Sequence, residues 1–303
     1  LSRLEKMKDK SDMTSTGWRT IDEKLYGGTN RGELTIWCAG SGVGKSLILQ
    51  NQAINWINQG KNVLYVTLEL SEELVGLRMD AMNTGESTKY IFGNMSEIAT
   101  RLGMLRKTSE VQKGKLQIKK FPEAGTTVND IRAYIKEYEI QTNEKFDAIC
   151  IDYLDILYPT SNKVDINSLF LKDKMVSEEI RALAGDLGLF AATASQLVKG
   201  ASKESDFDTT HIAGGTSKVN TADNVIAIFA PQEMKEDGKM QIQFIKARSS
   251  NAAGQRVMLA YNNSSMKISD MASIENADED IKEYVKKSDS ELSEYPAQTQ
   301  GNG

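Results

Sequence analysis

Gly44-Lys45-Ser46 closes a glycine-rich turn, AGSGVGKS over residues 39–46, set between an apolar run (LTIWCA, 34–39) and a run suited to a helix, Leu47 to Asn58. Glycines let the backbone wrap closely round an anion, so that consecutive N–H groups and the positive end of the following helix point at phosphate oxygens. In such a loop Ser41, Gly42, Val43, Gly44 and Leu47 contribute to the phosphate cradle, Lys45 reaches the β and γ phosphates, and the Ser46 hydroxyl ligates Mg²⁺. The pattern usually opens on glycine; here Ala39 stands at that position, where the strand ends and no phosphate need be touched. A ligand-free turn is the competing reading, but both flanks that the motif requires are present.

Further candidates stand at the ends of apolar runs. NVLYVT (62–67) is followed by Leu68-Glu69-Leu70, which puts Glu69 at the carboxyl end of a strand, where open α/β sheets place their ligands. A carboxylate there can orient water towards a γ phosphate; otherwise it is an exposed charge at a strand end. FDAICIDYLDIL (146–157) has an apolar strand ending in Asp152, suited to the water shell of Mg²⁺ beside Ser46, with Asp155 shortly after. The strand from Gly188 to Ala194 closes on Ser195-Gln196, and the Gln196 carboxamide can report a γ phosphate to the segment after it. That segment, Val198 to Asn220, is polar, and its amides with Lys199, Lys203 and Lys218 could track a sugar-phosphate backbone or simply be solvated. QIQFIKAR (241–248) ends in Lys246 and Arg248, cations that make sense pointing into a neighbouring subunit's nucleotide, in trans.

The elements that must hold these residues are an alternation of continuous apolar runs and helix-period segments, the signature of a parallel sheet covered on both faces. Ser71 and Thr127 read as N-caps, of helices reaching about Met82 and Gln141, and Ser168 to Leu187 as a long helix. Residues 83–113 are weakly helical with no evident chemistry. Trp18, Ile21 and Leu25 are expected at the core edge, for Trp18 in preference to stacking on a base. Strands near 224–230, 240–247, 256–261 and 266–269 finish as a β meander.

Composition adds bounds. The 303 residues can bury a full core, and no apolar run approaches the ~20 residues of a membrane span. The net charge of −5 is concentrated from Asp270 onward, where nine Asp or Glu face three Lys, so the body carries about +1, which neither supports nor excludes nucleic acid. Cys38 and Cys150 lie inside apolar runs and read as buried thiols in a reducing, cytoplasmic setting. The chain opens on Leu1 with LSRLEKMKDK, neither a signal peptide nor an initiation site, and is expected to be a piece of a longer protein.

Taken in order, AGSGVGKS, the strand ending in Glu69, ICIDYLDIL, ATASQL with its glycine-bearing loop leading to ADNVIAIF, and IKARSSNAAG resemble the motor domain of DnaB-family replicative helicases. The resemblance implies an α/β fold: a RecA-like P-loop ATPase core, a mostly parallel twisted sheet flanked by helices, with the C-terminal β meander. It implies a homo-hexameric ring that hydrolyses ATP or another NTP with Mg²⁺ between subunits, translocates on single-stranded DNA, separates a fork, and meets a primase and a helicase loader, with no membrane. Residues 1–16 become a linker helix segment docking on a neighbouring subunit, 17–270 the motor, and 271–303 an acidic flexible tail. The implied catalytic set is Lys45, Glu69 and Gln196 with Lys246 and Arg248 in trans; Ser46 and Asp152 serve the metal. The DNA-binding segment falls at Ala213, Gly214, Gly215, Thr216 and Lys218, besides Lys199 and Lys203. Two departures stand out: bacterial members commonly have glutamine where Asp155 stands, and charged residues where this chain has Ala213-Gly214. A recombinase-like filament and a nucleotide switch that binds protein partners only are the competing readings.

Overall fold

The computed structural model of the chain describes residues 12–107, 113–161, 168–197, 212 and 216–271. A short antiparallel pair, β1 (Met13–Thr14) and β2 (Thr29–Asn30), brackets α1 (Arg19–Lys24). The residues expected at the end of a linker helix are thus part of the body. Thr16 donates its N–H and hydroxyl to Asp22 Oδ1, each at 2.7 Å, and its carbonyl accepts from Gln52 Nε2 at 2.9 Å, which ties this non-helical stretch to α1 and to the helix after the glycine-rich turn. Residues 1–11 and 272–303, the rest of the expected linker and the acidic tail, lie outside the described residues.

The apolar runs become strands buried along their whole length: β3 (Leu34–Ala39), β4 (Val63–Thr67), β6 (Ala148–Asp152) and β8 (Asn224–Phe229), with β7 (Phe190–Gln196) half-exposed only at its last residue. With β5 (Leu116–Lys120), β9 (Lys239–Ala247), β10 (Arg256–Tyr261) and β11 (Ile268–Asp270) they form one sheet in the order β11-β10-β9-β8-β3-β7-β6-β4-β5. From β8 to β5 every neighbour pair is parallel; β9, β10 and β11 add on antiparallel as the expected meander.

Period-two alternation divides the core. Leu34, Ile36 and Cys38 face one side with Ile131, Val176 and Ile180, while Trp37 and Ala39 face the other with Ile48, Ala53 and Trp18. The first layer is built on α6 (Val128–Thr142) and α7 (Leu169–Leu187), the second on α2 (Lys45–Asn58) and α3 (Glu72–Thr84). Ser71 caps α3 by accepting from Leu74 N, and Thr127 and Asp130 form a capping box at α6. The weakly helical stretch becomes α4 (Thr88–Gly93) and α5 (Met95–Lys107). A one-turn helix, Leu154–Ile156, follows β6, while α8 (Thr216–Thr221) and α9 (Gln232–Glu236) flank β8.

Candidate active site

Because β3, β4, β6 and β7 run parallel, their carboxyl ends share one edge of the sheet. Ala39 lies beside Gln196 and Thr67 beside Asp152 in the register, so the glycine-rich turn, Glu69, Asp152 and Gln196 converge although they span 158 positions of sequence. The turn leaves β3 and enters α2 with Gly42 at φ +72° and Gly44 at φ +130°, backbone that side chains rarely adopt. The first amides of α2 therefore open towards a cleft of about 380 Å³, lined by Gly42, Lys45, Ser46, Glu69 and Gln196 among others.

Inside this cleft the groups are held for ionic work. The Ser46 hydroxyl donates to Asp152 Oδ1 at 3.1 Å and the Tyr65 hydroxyl to Oδ2 at 3.0 Å. Asp152 is fully buried, which pushes its carboxyl up against the pull of those two donors. Lys45 is half-buried with Nζ 5.3 Å from the centre of the Tyr153 ring. Burial lowers its pKa, while Asp155, Asp152 and Glu69 pull it back up. Glu69 is exposed at the mouth, and the Gln196 N–H is fixed by Asp155 Oδ2 at 2.8 Å.

Lys246 and Arg248 stand elsewhere. β9 is antiparallel to β8, so its end faces the opposite edge of the sheet: from Val225, opposite Lys246, to Ile228, beside Ala39, β8 rises roughly 10 Å, and the turn lies beyond. Lys246 Nζ donates to the carbonyls of Val219 at 2.6 Å and Asn220 at 3.0 Å, its pKa lowered by burial and then by Arg248. Arg248 Nη1 donates to Asp223 Oδ1 at 2.6 Å and borders a second cleft of about 760 Å³ with Lys174 and Arg181. The sheet itself thus separates these cations from their own glycine-rich turn.

A family model described as the DnaB-like helicase C terminal domain matches residues 14–270. The chain belongs to that family. It is 31% identical over 231 residues to the DnaB-like replicative helicase of Enterobacteria phage T4, a match covering 76% of this chain and 49% of that protein. The chain thus spans about half the length of that curated relative. A shorter match, 35% identical over 77 residues, covers 25% of this chain and 16% of the DNA repair protein RadA of Mycobacterium tuberculosis H37Rv. Among solved structures, a DnaB-like replicative helicase described with its interactions with primase superimposes with a TM-score of 0.72 at 16% identity, covering 89% of this chain and 66% of that one. The ATPase domain of G40P does so with a TM-score of 0.71 at 16% identity, covering 89% and 96%. At that identity the likeness speaks for the fold, a RecA-like α/β core.

Within this DnaB-like domain, Ser41, Gly42, Gly44, Lys45, Ser46, Leu47, Glu69 and Gln196 line one cleft, with Val43 in the turn and Asp152 beneath it. Of the expected DNA-binding residues, Lys199, Lys203, Ala213, Gly214 and Gly215 lie outside the described residues, and Thr216 opens α8. Lys218 requires correction. Its side chain is 1% exposed, ion-paired to Asp155 and to Asp173, the latter at 2.7 Å, so its ammonium does not face a phosphate backbone. It lies in a helix, not a solvated loop, and polarity alone hides that difference.

Several lining residues carry no mark in the sequence that singles them out. Tyr153 follows the strand-terminal Asp152, a position that could have drawn attention. Arg78 is on α3, two turns after the Ser71 cap. Tyr261 and Met266 arrive from the meander; outside the lining, Lys235 of α9 donates from Nζ to Gly42 O at 3.1 Å, and no local signal marks any of the three.

Proposed function

We propose that this DnaB-like domain is the ATP-hydrolysing motor of a replicative DNA helicase: a ring of six copies that moves along single-stranded DNA and separates a duplex at a fork. The observation that carries the reading is the placement of the phosphate cleft and of Lys246 with Arg248 on opposite edges of one sheet. A head-to-tail ring lets one copy's cations meet the next copy's cleft, a heterologous contact that closes on itself. The motor comprises the span that the family model matches, residues 14–270.

The chemistry comes from the groups present. The amides of residues 41–47 and Lys45 bind the phosphates of ATP. Ser46 and Asp152 would hold Mg²⁺, which needs few protein oxygens besides phosphate and water. This fits a site in which the Ser46 hydroxyl touches the buried Asp152 carboxylate. When bound, the cation supplies charge that offsets the phosphates and favours the ionised Asp152. Glu69, exposed at the cleft mouth, positions the attacking water as general base. Gln196 meets the γ phosphate, and Lys246 and Arg248 of a neighbouring copy stabilise charge on the transferred group. Lys199, Lys203 and the segment from Ala213 to Thr216 bind single-stranded DNA through backbone amides and charge. The solved relative described with its primase interactions supports a primase partner, and a helicase loader belongs to the same proposal.

The local likeness to RadA keeps a second reading in view, a filament that pairs DNA strands. One experiment decides: ATP hydrolysis with and without single-stranded DNA, on a sample of known mass, with strand displacement from a forked duplex. Six copies, DNA-stimulated hydrolysis and displacement are expected. Open filaments with strand pairing would transfer the reading to the recombinase class, and hydrolysis indifferent to DNA would overturn both.

A further inference from the structure

Beneath the cleft, four ionisable side chains meet, three of them buried and Asp155 partly so. Lys218 is 1% exposed, Asp173 7% and Asp155 19%, and Lys172 is buried beside them. Lys218 Nζ donates to Asp155 Oδ1, to Asp173 Oδ2 at 2.7 Å and to Ser195 Oγ at 2.9 Å. The Ser195 hydroxyl donates in turn to Asp155 at 3.0 Å, and Lys172 Nζ donates to the Asp155 carbonyl at 2.6 Å. Two carboxylates and two ammoniums balance, and every donor described has an acceptor. Well-packed apolar side chains of similar size commonly do as well for stability as a buried ion pair, so the cluster invites another explanation.

Its connectivity supplies one. Asp155 holds the Gln196 N–H at the tip of β7 and, through Lys218, holds α8. That helix has six residues, too few to stand alone, and it begins directly after Gly214-Gly215 in the chain. At its other end the carbonyls of Val219 and Asn220 accept from Lys246, and that of Asn220 also from Arg248 Nη2 at 3.4 Å. One short helix is therefore tied on one side to the strand tip of its own cleft and on the other to the two cations of the far edge.

We propose that Lys218 is a positioning residue that couples Gln196 to α8, so that occupancy of the nucleotide cleft and the placement of Lys246 and Arg248 respond as one unit. This rests on the function proposed above, in which Gln196 meets the γ phosphate and the residues before Thr216 meet DNA. The coupling is reciprocal: DNA held ahead of α8 alters hydrolysis through the same ties.

The test separates coupling from simple support. Lys218→Met alone leaves the buried Asp173 and the partly buried Asp155 short of a cation, so the informative variant is Asp173→Asn with Lys218→Met. It removes one charge of each sign, fills the space of the lysine stem with methionine, and leaves Asp155 bonded to Gln196 N–H and Ser195. Asp173→Asn alone keeps the Lys218–Asp155 tie and serves as control. Measured on the assembled chain, the rate with single-stranded DNA divided by the rate without it is expected to fall about tenfold in the double variant and less than about twofold in the control. The KM for ATP should move less than about threefold in both. An unchanged ratio in the assembled double variant, or equal losses with and without DNA, overturns the coupling. Absence of stimulation in the parent chain would instead remove the functional reading beneath it.

Discussion

Asp223 tests whether the far edge is built as described. The residue precedes β8, is 2% exposed, and accepts four bonds: from Leu34 N at 3.0 Å, Arg181 Nε at 2.9 Å, Arg181 Nη2 at 3.0 Å and Arg248 Nη1 at 2.6 Å. Asp223→Ala removes all four acceptors. The Leu34 N–H is then buried without a partner, which costs about 1–3 kcal/mol. The guanidiniums of Arg181 and Arg248 are 42% and 44% exposed and can return to water, so each lost pair adds only about 0–1 kcal/mol. A loss of about 3 kcal/mol corresponds to a melting temperature lower by about 6–12 °C for a domain of this size. Asp223→Asn keeps one oxygen for Leu34 N–H and should lose about 2–4 °C. Thermal unfolding followed by far-ultraviolet circular dichroism, without nucleotide, makes the comparison. An alanine variant melting with the parent, or an asparagine variant as damaged as alanine, would refute the assignment of the cost to the buried amide.

Three further outcomes bear on the site. Glu69→Gln should retain nucleotide binding, measured by titration with a fluorescent ATP analogue, and lose turnover by orders of magnitude; parent-like hydrolysis would remove Glu69 as the base. Mixing Arg248→Ala subunits with Lys45→Ala subunits should restore part of the ATPase at heteromeric interfaces, and no recovery at any ratio with assembly intact would count against action in trans. The Cys38 thiol is fully buried and pushed up to about 12, and burial holds Cys150 well above its usual range as well. Both thiols are held protonated near neutral pH and out of reach, so a thiol reagent should find no fast-reacting group in the native chain and two after unfolding in urea.

Much of the cleft is legible because its parts are local in sequence. AGSGVGKS needs only its flanking strand and helix to form, and Glu69, Asp152 and Gln196 each end a continuous apolar run, which in a parallel sheet places them on one edge. The caps at Ser71 and Thr127 are legible for the same reason, a hydroxyl satisfying amides three residues on. Arg78 and Tyr261 escape notice because they reach the cleft from elements whose own patterns carry no chemistry.

Residues 213–220 mark the boundary most sharply. A polar, lysine-bearing segment reads as a solvated, DNA-facing loop, since side-chain type reports affinity for water and nothing about partners. The fold brings Asp155 and Asp173 from distant parts of the chain to Lys218 and so turns a surface cation into a buried one. Sequence alone determined the phosphate loop, the strand-terminal carboxylates and the sheet that aligns them, because each rests on neighbours a few residues away. Only the tertiary structure decided which cations face outward and which are locked inside, because charge burial depends on long-range pairing that leaves no periodicity in the chain.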